Sequence, residues 1–272
     1  MRVRHASASS LASSGAIDQP PLVVLGITSP ETCLVLAERC RSLKAAGFRV
    51  VLVSSPGPLL ERIATEEGIE PLAIPIRRRI APLHDLLSLA RLCAALSRLR
   101  PQLTEFSTPK AGLLGNVAAW WCGVPARIYM LRGLRLETLR GIKLKIMLAA
   151  ERIASACAHH VVCNSESLRA KALDLRLAPA AKLKLIGDGS SHGVDVERFS
   201  PGPDRMRVQL GILGSVPVIG FVGRLTRDKG VPELIDAFER VRDRVPSARL
   251  LLVGWFDESE DGLSAELRAR ID

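Results

Sequence analysis

From residue 21 onward, short apolar runs alternate with longer amphipathic stretches. The runs at 22–27, 49–54, 70–74, 102–106, 127–130 and 160–163 are rich in Val, Leu and Ile and lack strict alternation. That is the pattern of strands buried on both faces. Between them, helical spacing of apolar residues predicts helices over 31–46, 57–67, 83–99, 110–122, 136–158 and 165–174. Gly47 and Gly68 fall just past two of these, where a left-handed residue without a Cβ is favoured. Such alternation predicts an α/β fold, a mostly parallel sheet covered on both faces, and hence a complete Rossmann-like domain over 21–195. The stretch 187–203, GDGSSHGVDVERFSPGP, reads as a linker. The pattern then restarts with a strand over 218–222, a glycine-bearing loop, a helix over 231–244, a strand over 250–253 and a helix over 263–271. Residues 196–272 fall short of an ordinary domain of about 100–150 residues, so they predict a partial second Rossmann-like domain. Residues 1–20, rich in Ser and Ala, read as a disordered tail.

Composition narrows the partners. With 47% hydrophobic and 24% charged residues, the chain is not disordered throughout. Cysteines 33, 40, 93, 122, 157 and 163 include no C-x-x-C pair, which favours buried thiols in a reducing compartment over zinc ribbons or a disulfide framework. The net charge of +10 is unevenly spread: residues 1–200 hold 27 Lys and Arg against 16 Asp and Glu, and residues 201–272 hold 11 against 12. Aromatic residues are only 4%, too few for the stacking that nucleic-acid binding uses, so nucleic acid is not the expected partner. An anionic membrane surface or a phosphorylated small molecule fits better. The uncharged segment 111–126, which no other exceeds in length, is too short and too interrupted to span a bilayer. Residues 1–20 also lack the apolar core of a signal peptide. The expectation is a cytoplasmic protein, peripheral on the inner face of the cell membrane. Over 134–158, Arg135, Arg140, Lys143, Lys145 and Arg152 are interspersed with Leu, Ile and Met. This reads either as a basic amphipathic helix lying on anionic lipid or as a helix covering the sheet with its cations solvated.

The sharpest local signal is GFVGRLTRDKGVPE at 220–233. A strand ends in glycine, which permits close approach of a ligand to the backbone. Arg224 and Lys229 follow in the loop, and Pro232 suits the first turn of the next helix. Two cations beside a helix N-terminus suit a diphosphate, although the same residues also fit a solvated basic turn. Neither G-x-G-x-x-G nor G-x-x-x-x-G-K-[ST] is present. The histidines at 5, 84, 159, 160 and 192 form no ligand cluster, and Ser190-Ser191 has no base at motif spacing.

GFVGRLTRDKGVPELIDAF resembles the donor-phosphate loop of family-4 glycosyltransferases, which have the two-domain GT-B fold. TSP at 28–30, STPKAGLLG at 107–115, RGLRLET at 132–138, CNSESL at 163–168 and GDGSSHGVDVERF at 187–199 agree with the family in order, and resemble its polysaccharide-assembly branch. The resemblance implies a GT-B-like chain that retains anomeric configuration while moving a sugar from a nucleotide-diphosphate donor, UDP-linked. The acceptor would be polyprenyl-diphosphate-linked or a saccharide, in cell-envelope polysaccharide biosynthesis. It implies Gly223, Arg224 and Lys229 as donor-binding residues, with Arg224 and Lys229 stabilising the leaving diphosphate. No metal cofactor is then expected, because the cations and the helix dipole take the metal's place. On the acceptor side it implies Thr108, Lys110, Arg132 and Glu137.

Two departures matter. Many relatives carry histidine where Arg132, Glu105 and Ser107 stand here, and arginine cannot act as a base near neutral pH, so Arg132 reads either as a clamp for a phosphate of donor or acceptor or as a partner in a surface or interdomain ion pair. The family's E-x7-E motif is expected well downstream of the phosphate loop, and Glu258 and Glu266, which share its spacing, lie directly after the second strand. These readings predict a C-terminally truncated chain with little activity alone. The alternative is a catalytically silent module that binds an acceptor or a membrane.

Overall fold

Leu22–Gly26 is buried along its whole length and forms β1, the first strand of a seven-stranded sheet. The others are β2 (Arg49–Ser54), β3 (Glu70–Ala73), β4 (Leu103–Ser107), β5 (Ala126–Leu131), β6 (His160–Cys163) and β7 (Leu183–Leu185). Their order is β3-β2-β1-β4-β5-β6-β7 and every pairing is parallel. The connecting helices are α1 (Cys33–Ala45), α2 (Pro58–Glu67), α3 (Pro82–Leu99), α4 (Pro109–Trp121), α5 (Gly141–Cys157) and α6 (Glu166–Asp174). This computed structural model describes residues 20–134, 139–190, 193–202, 205–212, 214–256 and 262–271, in two compact units divided between Val194 and Asp195.

In the first unit the two faces of the sheet have separate cores. Val23, Leu25, Val50 and Leu52 pack against Leu36, Cys40, Leu60 and Ile63 of α1 and α2. On the opposite face Val24, Val53 and Phe106 meet Leu92 and Leu96 of α3 and Ala111, Leu114 and Ala118 of α4. Tyr129, Leu131 and Val161 continue that side against Ala154 of α5 and Ala172 of α6. Burying one such Leu, Ile or Phe side chain is worth about 1.5–3 kcal/mol. Helix α4 lies close on the sheet because Gly112 and Gly115 lack side chains. A Cβ on either would sit 2.3 Å from the Tyr129 ring or 2.2 Å from the Phe106 ring. All six cysteines are free thiols, and burial pushes that of Cys40 up to about 12.

In the second unit, β8 (Val218–Val222) and β9 (Arg249–Val253) pair in parallel, with α8 (Val231–Arg244) between them and α9 (Ala265–Ala269) after. Its core is small: Leu225, Val231, Ile235 and Leu263. Val222 is 81% exposed, although its apolar run is that of a strand buried on both faces.

The expected α/β architecture is present, with differences at the element ends. β4 is shifted by one residue and α5 begins at Gly141, not 136; residues 135–138 are outside those described. Strand β7 was not expected. It has three residues with Lys184 in the middle, too little for an apolar run to register. The short helix α7 (Arg205–Gln209) was likewise missed. Among the described residues, no helix is long and apolar enough to cross a membrane.

Candidate active site

In the second unit the loop after β8 is built by continuing the strand pairing. Gly223 N–H donates to the Val253 carbonyl at 2.9 Å, and Leu225 N–H donates to that of Trp255 at 3.0 Å. Gly254 must be glycine for this approach, since a Cβ there would lie 1.8 Å from the Gly223 carbonyl oxygen. Buried Leu225 and Thr226 anchor the loop, which then makes a 3-10 turn over Arg227–Lys229. Gly230, at φ 72°, lets the chain reverse into α8 as its N-cap. No side chain caps that N-terminus, and Pro232 has no N–H. The Val231 and Glu233 amides of the first turn therefore lack an intrahelical partner.

Two predicted cations flank this turn. Arg224 Nη2 pairs with Asp228 Oδ2 at 3.2 Å, both side chains partly exposed. Lys229 is exposed and has no ion-pair partner among the described residues. The exposed Glu233 lies in the first turn of α8, where a carboxylate is favoured by the dipole. Gly223, Arg224 and Lys229 are thus brought into one loop beside a helix N-terminus, an arrangement that can hold an anion.

The first unit has a topological switch point of its own. Strand order reverses between β1 and β4, and open parallel sheets bind ligands beyond the strand ends at such a switch point. Across it, Thr28 and Thr108 share a 2.7 Å hydrogen bond between their hydroxyls. Thr108 Oγ1 also accepts from Thr28 N–H at 3.2 Å, and Thr28 Oγ1 accepts from the Ala111 N–H of α4 at 3.2 Å. Thr108 itself sits at φ 69° and ψ 147°, a conformation that costs a residue with a Cβ about 1–3 kcal/mol. Lys110 turns inward: Nζ is 2.9 Å from Asp85 Oδ1 and also donates to the Arg79 carbonyl, and its side chain is 15% exposed. Its charge is committed to the start of α3.

Arg132 directly follows β5, and its carbonyl accepts from the Asn164 side-chain amide at 3.2 Å. Its three guanidinium nitrogens are buried and make no hydrogen bond among the described residues. Beside it Glu105 of β4, 2% exposed at the side chain, pairs with Arg39 of α1 at 2.5 Å. Burial pushes the Glu105 carboxyl up, while Arg39 and Arg132 pull it down. Burial likewise lowers Arg132, and Glu105 opposes this. Arg39 was not foreseen, because one arginine on a predicted helix carries no signal. Glu105 could have been found as the single acid in the 102–106 run. Glu137 and Glu258 lie outside the described residues, and Glu266 is in the short α9.

Two parallel α/β units in tandem, the second opening on a cationic strand–helix loop, are the parts of a GT-B fold. Residues 34–189 match the glycosyl transferase 4-like domain and residues 204–271 match glycosyl transferases group 1, so the chain belongs to the family-4 glycosyltransferases. It is 34% identical over 229 residues to the capsular polysaccharide biosynthesis glycosyltransferase CapM of Staphylococcus aureus, covering 84% of this chain and 60% of that protein. It is 24% identical over 212 residues to the UDP-Gal:alpha-D-GlcNAc-diphosphoundecaprenol alpha-1,3-galactosyltransferase of Escherichia coli, covering 75% of this chain and 53% of that one. The chain thus spans well under two thirds of these relatives' length. Among solved structures it resembles Anabaena Alr3699/HepE in complex with UDP, with a TM-score of 0.68, 20% identity, and coverage of 92% of this chain and 65% of that one.

Proposed function

We propose that this chain provides the donor-phosphate loop and the acceptor-side domain of a retaining glycosyltransferase of envelope polysaccharide assembly. The donor is a UDP-sugar and the acceptor a sugar on a polyprenyl diphosphate, or a saccharide. The observation that carries this reading is the second-unit loop, which holds Arg224 and Lys229 and ends at the uncapped N-terminus of α8. The names of relatives support it: the Escherichia coli protein is named for UDP-Gal and a diphosphoundecaprenol acceptor, and the HepE structure holds UDP.

As the bond from the anomeric carbon to the diphosphate breaks, its electron pair passes to the departing oxygen and the diphosphate gains negative charge. Two cations and a helix N-terminus stabilise that charge in place of a divalent metal. The acceptor hydroxyl attacks the oxocarbenium-like sugar from the face the diphosphate leaves and gives up its proton there, so configuration is retained. Removing one cation from such an anion site costs on the order of 1.4 kcal/mol or more, about tenfold in affinity. Calorimetric titration with UDP is therefore expected to show Arg224→Ala and Lys229→Ala each binding at least about tenfold more weakly than the parent chain. Unchanged affinity in both would remove the loop from the donor site.

A membrane-borne acceptor is supported by one end of the first unit. Parallel strands start α3 and α5 at the same sheet edge, on either side of α4. There Ile80, Leu83, Leu86 and Leu87 are 56–78% exposed, Ile142 is 69% exposed and Ile146 is 51% exposed. Exposed Arg77, Arg79, Lys143 and Lys145 lie among them. Aliphatic side chains ringed by cations match an anionic lipid surface.

A further inference from the structure

The cluster at the end of β4 and β5 is unbalanced. Glu105 has one negative charge and is already partnered by Arg39 at 2.5 Å. Arg132 adds a second cation, so a buried carboxylate faces two guanidinium groups, that of Arg39 partly exposed. None of the Arg132 guanidinium nitrogens is exposed or hydrogen-bonded among the described residues. A guanidinium has five N–H donors, and burying them unmet is costly, so the position needs a physical reason. An ordinary structural ion pair does not supply one. The pair that is made, Arg39–Glu105, is complete without Arg132, and the attraction of Arg132 to Glu105 is partly cancelled by repulsion from Arg39.

We propose that Arg132 is a held-back phosphate receptor: a guanidinium parked beside the Arg39–Glu105 pair and drawn to the strand ends by a diphosphate at the switch point. Leaving the buried position breaks no hydrogen bond of the guanidinium, because it makes none there. Glu105 is not stranded by the move, because Arg39 stays with it. The distance to travel is short, since Arg132 is the first residue after β5 and Thr108, next after β4, lies beyond the register pair Ser107–Met130. A cavity of about 350 Å³ adjoins the cluster; its walls include Arg39, Met130, Val162, Gly189 and Ser190, and also one carboxylate, Asp188. There is room for a phosphate-bearing group nearby. Once out, the planar fork of Arg132 can grip two phosphate oxygens at once. Arg39 and Glu105 are positioning residues in this scheme, and Arg132 touches the ligand. The inference rests on the transferase reading only for where the diphosphate comes from, whether the nucleotide donor or an isoprenoid-linked acceptor.

The test uses the full chain carrying Arg224→Ala and Lys229→Ala, so that the donor loop does not respond. Thermal unfolding is followed with and without inorganic diphosphate for this parent and for Arg132→Met and Arg132→Lys added to it. Without diphosphate, Arg132→Met is expected to unfold at the same temperature as the parent or higher, because a buried unpartnered cation has gone. Diphosphate is expected to raise the parent midpoint, to raise that of Arg132→Lys less, and to leave that of Arg132→Met unmoved. UDP and farnesyl diphosphate as separate additions identify the source by which of them reproduces the shift. A lower midpoint for Arg132→Met in diphosphate-free buffer, or an equal diphosphate shift in all three proteins, overturns the proposal. Because the donor loop is silenced throughout, such a failure leaves the reading of Arg224 and Lys229 intact.

Discussion

Single residues in the first unit carry conformational and electrostatic costs that point to the strand ends. Thr108 holds a backbone conformation nearly reserved for glycine, yet its hydroxyl bridges Thr28 across the switch point. The hydroxyl offsets the strain; an alanine has the strain without the hydrogen bonds, whereas a glycine loses both. Thr108→Gly is therefore expected to be more stable than Thr108→Ala by about 1 kcal/mol, allowing for the greater unfolded-state freedom of glycine. Denaturant unfolding of the two variants measures this, and an alanine variant at least as stable as the glycine variant contradicts it. Glu151 shows another cost. It is buried on α5 and accepts from the Tyr129 hydroxyl at 2.7 Å. Burial raises its carboxyl above the ordinary range, and the Tyr129 hydrogen bond only partly counters this. A raised folded-state value means the native protein holds the proton longer than the unfolded chain. The stability due to Glu151 is thus fullest below the unfolded pKa of about 4.3 and is lost as pH rises through the folded value. Glu151→Gln, which still offers Tyr129 an acceptor, is expected to gain on the wild type as pH rises from about 4 to 7. Equal pH slopes for the two proteins contradict that.

At the scale of elements, the strands buried on both faces announce themselves, because β1 from Leu22 to Leu25 and β2 from Val50 to Val53 are unbroken runs of Val and Leu. Strand β7 does not, because three residues at a sheet edge contain too little apolar surface to leave a pattern. The donor-loop residues are legible for a different reason: Gly223 to Pro232 are contiguous, so one segment contains the whole arrangement. The Arg39–Glu105–Arg132 cluster is not legible, since its members lie on α1, β4 and the end of β5 and meet only through sheet order. Gly112 and Gly115 are intermediate. Their spacing on a helix is visible, but that they admit Tyr129 and Phe106 is known only once the sheet register is. The basic amphipathic stretch expected over 134–158 becomes α5, which both packs on α4 and leaves Ile142 and Ile146 outside. If α3 and α5 together meet lipid, Leu83→Ser with Ile142→Ser is expected to lower sedimentation with anionic vesicles severalfold, with little binding to neutral vesicles in either protein. Equal binding to anionic and neutral vesicles contradicts the electrostatic part of this account, and an unaffected double variant contradicts the apolar part.

At the scale of the whole molecule, the two units differ in how much core they own. Among the described residues, the first has a seven-stranded sheet with helices on both faces, whereas the second has two strands and a core of four buried side chains with their neighbours. Unit-wise differences in buried apolar contact appear as differences in local opening, so backbone amides of the second unit are expected to exchange faster. That contrast makes a ligand on the second unit easy to detect. The central claim is that a nucleoside diphosphate binds on the loop from Gly223 into α8. Hydrogen exchange of the intact chain, with and without saturating UDP, tests it most directly. Slowed exchange centred on residues 223–235 is the predicted result; protection absent from that segment, or confined to the first unit, would contradict it.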